Sequence, residues 1–394
     1  MQNTLLIIGN GFDVACGLKS RYSDFFDACI QGKYGMIDIG HMLRKSMFPP
    51  KNFWQNLLLV YAWNVGTNDY FWCNIEDIIQ KTLYQINNGI PNSDYHSALY
   101  YRAWCAKASE DFEQILEDPI IKHILIYLHK WISHFQNTNY RMSSKEEVRD
   151  VVNSYLLQEL QGFEKQFCEY LKSQITEEYL KKANELRDKL FLPIRNSSSN
   201  TNPIYLQLVR QAGIDTASIK EKSILSFNYT SQKADDIRYY NVHGKLCDTD
   251  CDKNCVGSSV IFGIDDSVVK KYAIQELKLF SKTYRKLFLE NPDTSILPLK
   301  MDSISIKFFG HSLNEADYSY FQSIFDYYDI YSNALSDLVF YYSPYREDEK
   351  KSVTDAVYRL MNQYGATLSN KDQGKNLMHK LLLENRITIR EITL

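Results

Sequence analysis

Short apolar runs closed by small or polar residues punctuate both ends of the chain, and a long helical texture fills its middle. Residues 5–9 (LLIIG), 223–227 (SILSF), 259–264 (SVIFGI), 303–309 (SISIKFF) and 337–342 (DLVFYY) read as strands. Runs of this length between turn residues suit strands covered on both faces of a parallel sheet. Helical patterns at 315–328 and 347–364 alternate with them, which is the signature of βαβ units. Between 25 and 220 the pattern changes. Residues 148–190 read as one long helix with few breakers, placing Leu160, Phe163, Phe167, Tyr170 and Ile175 on one face, and 94–117 and 120–135 read as further helices. The polar stretch 196–203 (NSSSNTNP) marks a return towards the sheet.

The expected architecture is α/β: a parallel, Rossmann-like sheet flanked by helices, formed by 1–25 and 221–394, with 26–220 a helical insertion after the first strand. A separate N-terminal domain would strand residues 5–9 away from any sheet. No repeat at solenoid spacing is visible.

A length of 394 residues allows two or three domain-sized units or one domain with a large insertion. The net charge of −3 supplies no basic field, so nucleic acid is not an expected partner. No apolar run approaches the roughly 18 residues of a membrane span. No basic segment precedes the first apolar run, as a secretory signal would require. Eight cysteines are too sparse for a disulfide scaffold, so a cytoplasmic protein with reduced thiols is expected.

Four strand-end turns carry the candidate chemistry. Gly9-Asn10-Gly11 follows the first strand, where backbone amides and a helix start can cradle phosphate. Against that stand the missing third glycine of the dinucleotide fingerprint and Asp13, an anion that would repel phosphate or simply cap the helix. Asn228, in SFNYT, can hold a ribose or a water with its amide, or serve as a turn residue. His243, followed by Gly244, can act as a general base or a structural hydrogen-bonding group. Gly310-His311-Ser312 is the fourth turn: Ser312 can donate to a phosphate, or Asn314 can cap the following helix. Together these turns point to one sheet edge and a nucleotide-sized pocket. Cys247, Cys251 and Cys255 follow in KLCDTDCDKNC; their C-x3-C-x3-C spacing is not a standard zinc pattern, so they read as loop cysteines with zinc as the alternative.

Taken in order, GNGFD, GLKSRYSDF, WCNIEDII, FNYT, HGKL, IFGID and GHSLNEADY resemble the AbiH family of bacterial abortive-infection proteins, which act against bacteriophage. That family is in turn similar to sirtuin-type NAD-binding and NAD-cleaving domains, whose GAG turn, Asn-containing strand end, HG pair and G-x-S turn align with Gly9–Gly11, Asn228, His243-Gly244 and Gly310–Ser312. The resemblance implies NAD as substrate or ligand, with Asn228 and His243 at the nicotinamide–ribose end. Gly9, Asn10, Gly11, Phe12, Asp13, Gly244, Gly310, His311 and Ser312 would then lie around the cofactor, with the amides of residues 10–12 on phosphate. Arg21 and Tyr22 match a cofactor-covering loop by position. Asp13 and Thr230 depart from the relatives' pattern. The implied function is an anti-phage effector that cleaves NAD and answers to a phage-derived trigger. Two rivals remain: a nucleotide-sensing module without turnover, and a nuclease using Glu76, Asp77 and Asp13. The apolar face of 160–175 either packs within the insertion or forms a homo-oligomer surface.

Overall fold

The computed structural model describes residues 2–28, 52–58 except 56, 75–89, 144–193, 221–246 except 232 and 233, 260–265, 269, 275–289, 295–300, 303–344 except 315 and 316, 348–369 and 371–393. The helices expected at 94–117 and 120–135, the loop 196–203, and Cys247, Cys251 and Cys255 lie outside these residues. The chain forms two compact units. One takes Met1–Leu18, Ile175–Leu246 and Asn291–Leu394; the other takes Lys19–Gln174 and Cys247–Glu290.

The first unit is a six-stranded parallel sheet. Its strands are β1 (Gln2–Ile8), β2 (Lys222–Ser226), β3 (Arg238–Asn241), β4 (Ser303–Phe309), β5 (Ser336–Tyr342) and β6 (Ile387–Glu391), in the spatial order β3-β2-β1-β4-β5-β6. This is the order of the Rossmann fold, with the switch in direction between β1 and β4. Side-chain alternation on β1 shows how the sheet is covered. Leu5 and Ile7 enter one core with Phe321, Phe325 and Tyr328 of α7 (Tyr318–Tyr328) and with residues of α8 (Glu349–Thr367) and α9 (Lys371–Leu383). Leu6 and Ile8 enter the opposite core with Phe12 and Cys16, from α1 (Asn10–Ala15) and its C-cap, and with Tyr179, Ala183, Leu186 and Leu190 of α5 (Glu177–Phe191). All four β1 side chains are fully buried, each worth about 1.5–3 kcal/mol.

The second unit contains α2 (Tyr22–Phe26), α3 (Ile75–Gly89), α4 (Lys145–Gln174), a 3-10 turn at Gln275–Phe280 and α6 (Lys282–Leu289). Phe25, Phe163, Phe167 and Phe262 form its aromatic core. Glu164 and Arg285 form a buried two-pronged ion pair at 2.6 and 2.8 Å.

Three expectations need correction. Of the run expected as a strand at 259–264, the described residues 260–264 are buried but form no strand; among them only Ile264 bridges, to Ser281. Their backbone is satisfied by side chains instead: Phe262 N–H donates to Glu164 Oε1 and Phe262 C=O accepts from Arg285. The long helix expected at 148–190 is two helices, because Thr176 caps α5 by accepting from Tyr179 N–H. Strands β3 and β6 were not expected; both are edge strands of four and five residues.

Candidate functional site at the carboxyl edge of the sheet

The four turns singled out in the sequence follow β1, β2, β3 and β4, which are neighbours in the sheet, and all leave the same edge. The glycine turn is a tight corner. Gly11 N–H donates to Gly310 C=O at 2.8 Å, and Phe12 N–H donates to Gly9 C=O at 2.8 Å. A Cβ on Gly11 would stand 2.6 Å from Gly310 Cα, and one on Gly310, whose φ is +70°, would stand 2.3 Å from Phe12 N. The glycines thus let the β1 and β4 turns press together at the switch point, and the amides of Gly11 and Phe12 are already committed. This corrects the phosphate cradle expected of them. Phe12 is a core residue, its ring edge-on to Phe309. Asn10 and Ser312 are the exposed side chains of these turns.

Asp13 neither caps α1 nor faces solvent. It is buried, accepting from Tyr179 Oη at 2.7 Å and from the Thr230 hydroxyl, whose oxygen lies 3.0 and 2.9 Å from the two carboxylate oxygens. Burial raises its pKa to about 6, against the opposing pull of Tyr179, Thr230 and Asn228. Burial, with the Asp13 charge adding to it, also pushes the Cys16 thiol up to about 12, so that thiol is no nucleophile at neutral pH.

Asn228 is held by its backbone. Its N–H donates to Ser226 Oγ at 3.1 Å, and its C=O accepts from Asn241 Nδ2 at 2.8 Å. The carboxamide lies near enough to Asp13 to favour the ionised carboxylate. Yet neither Oδ1 nor Nδ2 completes a hydrogen bond of normal geometry, although the residue is only 3% exposed.

His243 and His311 form a second polar group around one carboxylate. The Phe227 ring lies edge-on to both imidazoles, with centroids at 5.5 and 4.4 Å. Asp317, at the N-cap position of α7, places Oδ1 3.3 Å from His243 Nε2 and Oδ2 3.4 Å from His311 Nε2. His311 Nδ1 accepts from Leu313 N–H at 2.9 Å. Gly244, with φ +85°, is the buried turn residue behind His243. Asn228 and His243 therefore sit at adjacent strand ends, the first turned to the Asp13 group and the second to Asp317.

Arg21 and Tyr22 belong to the second unit. Arg21 N–H donates to Asp24 at the start of α2, and Tyr22 packs on Phe167 and Phe262. Glu76 pairs with Lys282 in the same unit, while Asp13 belongs to the first. Among the described residues, no three His, Cys, Asp or Glu side chains gather as metal ligands.

The motifs that shape this edge are those of a known family: the model for bacteriophage abortive infection AbiH matches residues 5–341. The chain belongs to the AbiH family. Its general role is therefore abortive infection directed at bacteriophage. The AbiH match runs from β1 into β5 and so takes in all four strand-end turns. Comparison with curated proteins and with solved structures finds no match. Among the described residues, no helix of this AbiH chain is long and apolar enough to cross a membrane.

Two members of the site escaped the motif reading. Asp317 stands in GHSLNEADY, where only Asn314 was read as a cap; an Asp at a helix start was the available signal. Tyr179 carries no local signal, because it reaches Asp13 across 166 residues of sequence.

Proposed function

We propose that this AbiH chain is an effector that cleaves the nicotinamide–ribose bond of NAD at the carboxyl edge of its sheet. The observation supporting this reading is the buried carboxamide of Asn228, fixed through its backbone and left without a normal hydrogen bond, one strand from His243. An unsatisfied buried polar group costs about 1–3 kcal/mol, so a ligand that completes it gains by binding there. Neighbouring strands are about 4.8 Å apart, a separation that a dinucleotide spans easily. In the reaction the C1′–N bond breaks through an oxocarbenium-like state, and nicotinamide leaves neutral with the bonding electrons. Water adds to C1′ and gives up a proton to His243, while Asn228 holds the ribose or that water. With the amides of Gly11 and Phe12 engaged, phosphate contacts fall to the side chains of Asn10 and Ser312. Loss of NAD would halt the infected cell before the phage completes its cycle.

Incubation of the purified protein with NAD and phage-infected lysate, followed by chromatography, tests this reading. Free nicotinamide is expected, falling at least about 100-fold in His243→Ala, the scale of a lost general base. Calorimetric binding of NAD without nicotinamide release, with phage protection intact in Asn228→Ala, would replace cleavage by nucleotide sensing.

A further inference from the structure

We infer that Asp317 and His311 are positioning residues that fix the tautomer of His243, so that Nδ1 is the nitrogen that takes the proton; this rests on His243 being the base. Leu313 N–H donates to His311 Nδ1, which must therefore be the unprotonated nitrogen of that ring. A neutral His311 then carries its proton on Nε2, the atom 3.4 Å from Asp317 Oδ2. The other carboxylate oxygen lies 3.3 Å from His243 Nε2, an ion-pair distance without full hydrogen-bond alignment, and its negative charge favours a proton there too, which makes Nδ1 the acceptor of the His243 ring. Catalytic contacts in unliganded sites are often long or poorly aligned and shorten when substrate binds.

The local backbone is built around this arrangement. Asp at an N-cap usually accepts from the helix amides, yet Asp317 makes no side-chain capping bond to α7. Its own N–H donates to Asn314 C=O, which fixes its place. Gly310 and Leu313 both have positive φ, at +70° and +53°, and a leucine in that region is strained. The strained turn brings Leu313 N–H onto the imidazole, and burial of the leucine side chain in the core offsets the strain. Phe227 and Phe321 close on the His311 ring edge-on, at 4.4 and 5.1 Å.

Asp317→Asn is the informative change. An amide has one accepting and one donating end, so it cannot accept from both imidazoles. Because Leu313 holds His311 as the Nε2–H form, the Asn oxygen goes to His311 and its NH2 to His243 Nε2. His243 is thereby forced into the Nδ1–H tautomer. Nitrogen-15 NMR of histidine-labelled protein, with His243 assigned by His243→Gln, reads this directly. Wild type is expected to show Nε2–H at both rings near neutral pH, and Asp317→Asn to move His243 alone to Nδ1–H. In the nicotinamide assay kcat is expected to fall about 10^2- to 10^4-fold with KM little changed, and Asp317→Glu to restore part of it. Nδ1–H at His243 in wild type, or the same His243 tautomer in a folded Asp317→Asn, overturns the inference. If Asp317→Asn does not fold, the wild-type tautomers alone decide. Absence of nicotinamide release alongside the expected tautomers overturns the NAD reading and leaves the positioning of His243 intact.

Discussion

Burial holds the Asp13 carboxyl at about 6 against an ordinary 3.8, because desolvation outweighs the help it receives from Tyr179, Thr230 and Asn228. The folded state therefore binds a proton that the unfolded chain has already released. Stability from this group is full below pH about 3.8, falls as pH rises, and is lost above about 6. The gap corresponds to about 3 kcal/mol. Asp13→Asn keeps the shape and can still accept from Tyr179 while meeting the Thr230 hydroxyl with its NH2. It is expected to be more stable than wild type at pH 7.5, by up to about 3 kcal/mol, with the advantage shrinking steadily towards pH 4. Urea unfolding of the two proteins across that range measures the difference. A constant difference would mean that Asp13 does not titrate in this window.

At the scale of elements, a lysine ties the centre of the sheet to the end of a helix. Lys307 of β4 donates from Nζ to the carbonyls of Leu190 and Leu192, at the C-terminal end of α5, where unpaired carbonyls need a partner. Burial lowers its pKa to about 8, with Asp337 pulling the other way. Lys307→Met keeps the apolar stem and orphans both carbonyls, so a loss of about 1–3 kcal/mol is expected in urea unfolding. A loss below about 0.5 kcal/mol would show that water replaces the ammonium. Lys307 also shows what the sequence can and cannot convey. SISIKFF announces a buried central strand through its apolar run, and β4 spans those seven residues; the long-range destination of the lysine in its midst has no local signature. The glycine turns were legible as corners, but their purpose, one turn pressed on another, depends on β4 lying beside β1. In the described part of the run 259–264, residues 260–264, burial is as signalled but pairing is not, since Glu164 and Arg285 supply the hydrogen bonds a neighbouring strand would have given. Edge strand β3 (RYYN) is too short to stand out, though its last residue, Asn241, fixes the Asn228 backbone.

For the whole molecule, the order in which the chain visits its two units sets an expectation for unfolding. It leaves the sheet unit after Leu18, soon after the Asp13 helix, and re-enters at Ile175, just before the tyrosine that donates to Asp13. The two ends of this excursion are thus tied within the sheet unit, and the entropy of closing so long a loop grows only logarithmically with its length. The sheet unit can then keep its structure while the excursion unfolds. Glu164 tests this, because its carboxylate serves both Arg285 and the Phe262 amide inside the second unit. Glu164→Ala leaves a buried guanidinium without its counter-charge, and about 3–5 kcal/mol of that unit's stability should go with it. Calorimetry is expected to show one transition moved to lower temperature and another unmoved. The pH dependence assigned to Asp13 should stay with the unmoved one, since Asp13, Tyr179 and Thr230 all belong to the sheet unit. A single transition that shifts as a whole would mean that the units melt as one cooperative body. The strand-end site would then be as sensitive to damage in the second unit as to damage in its own.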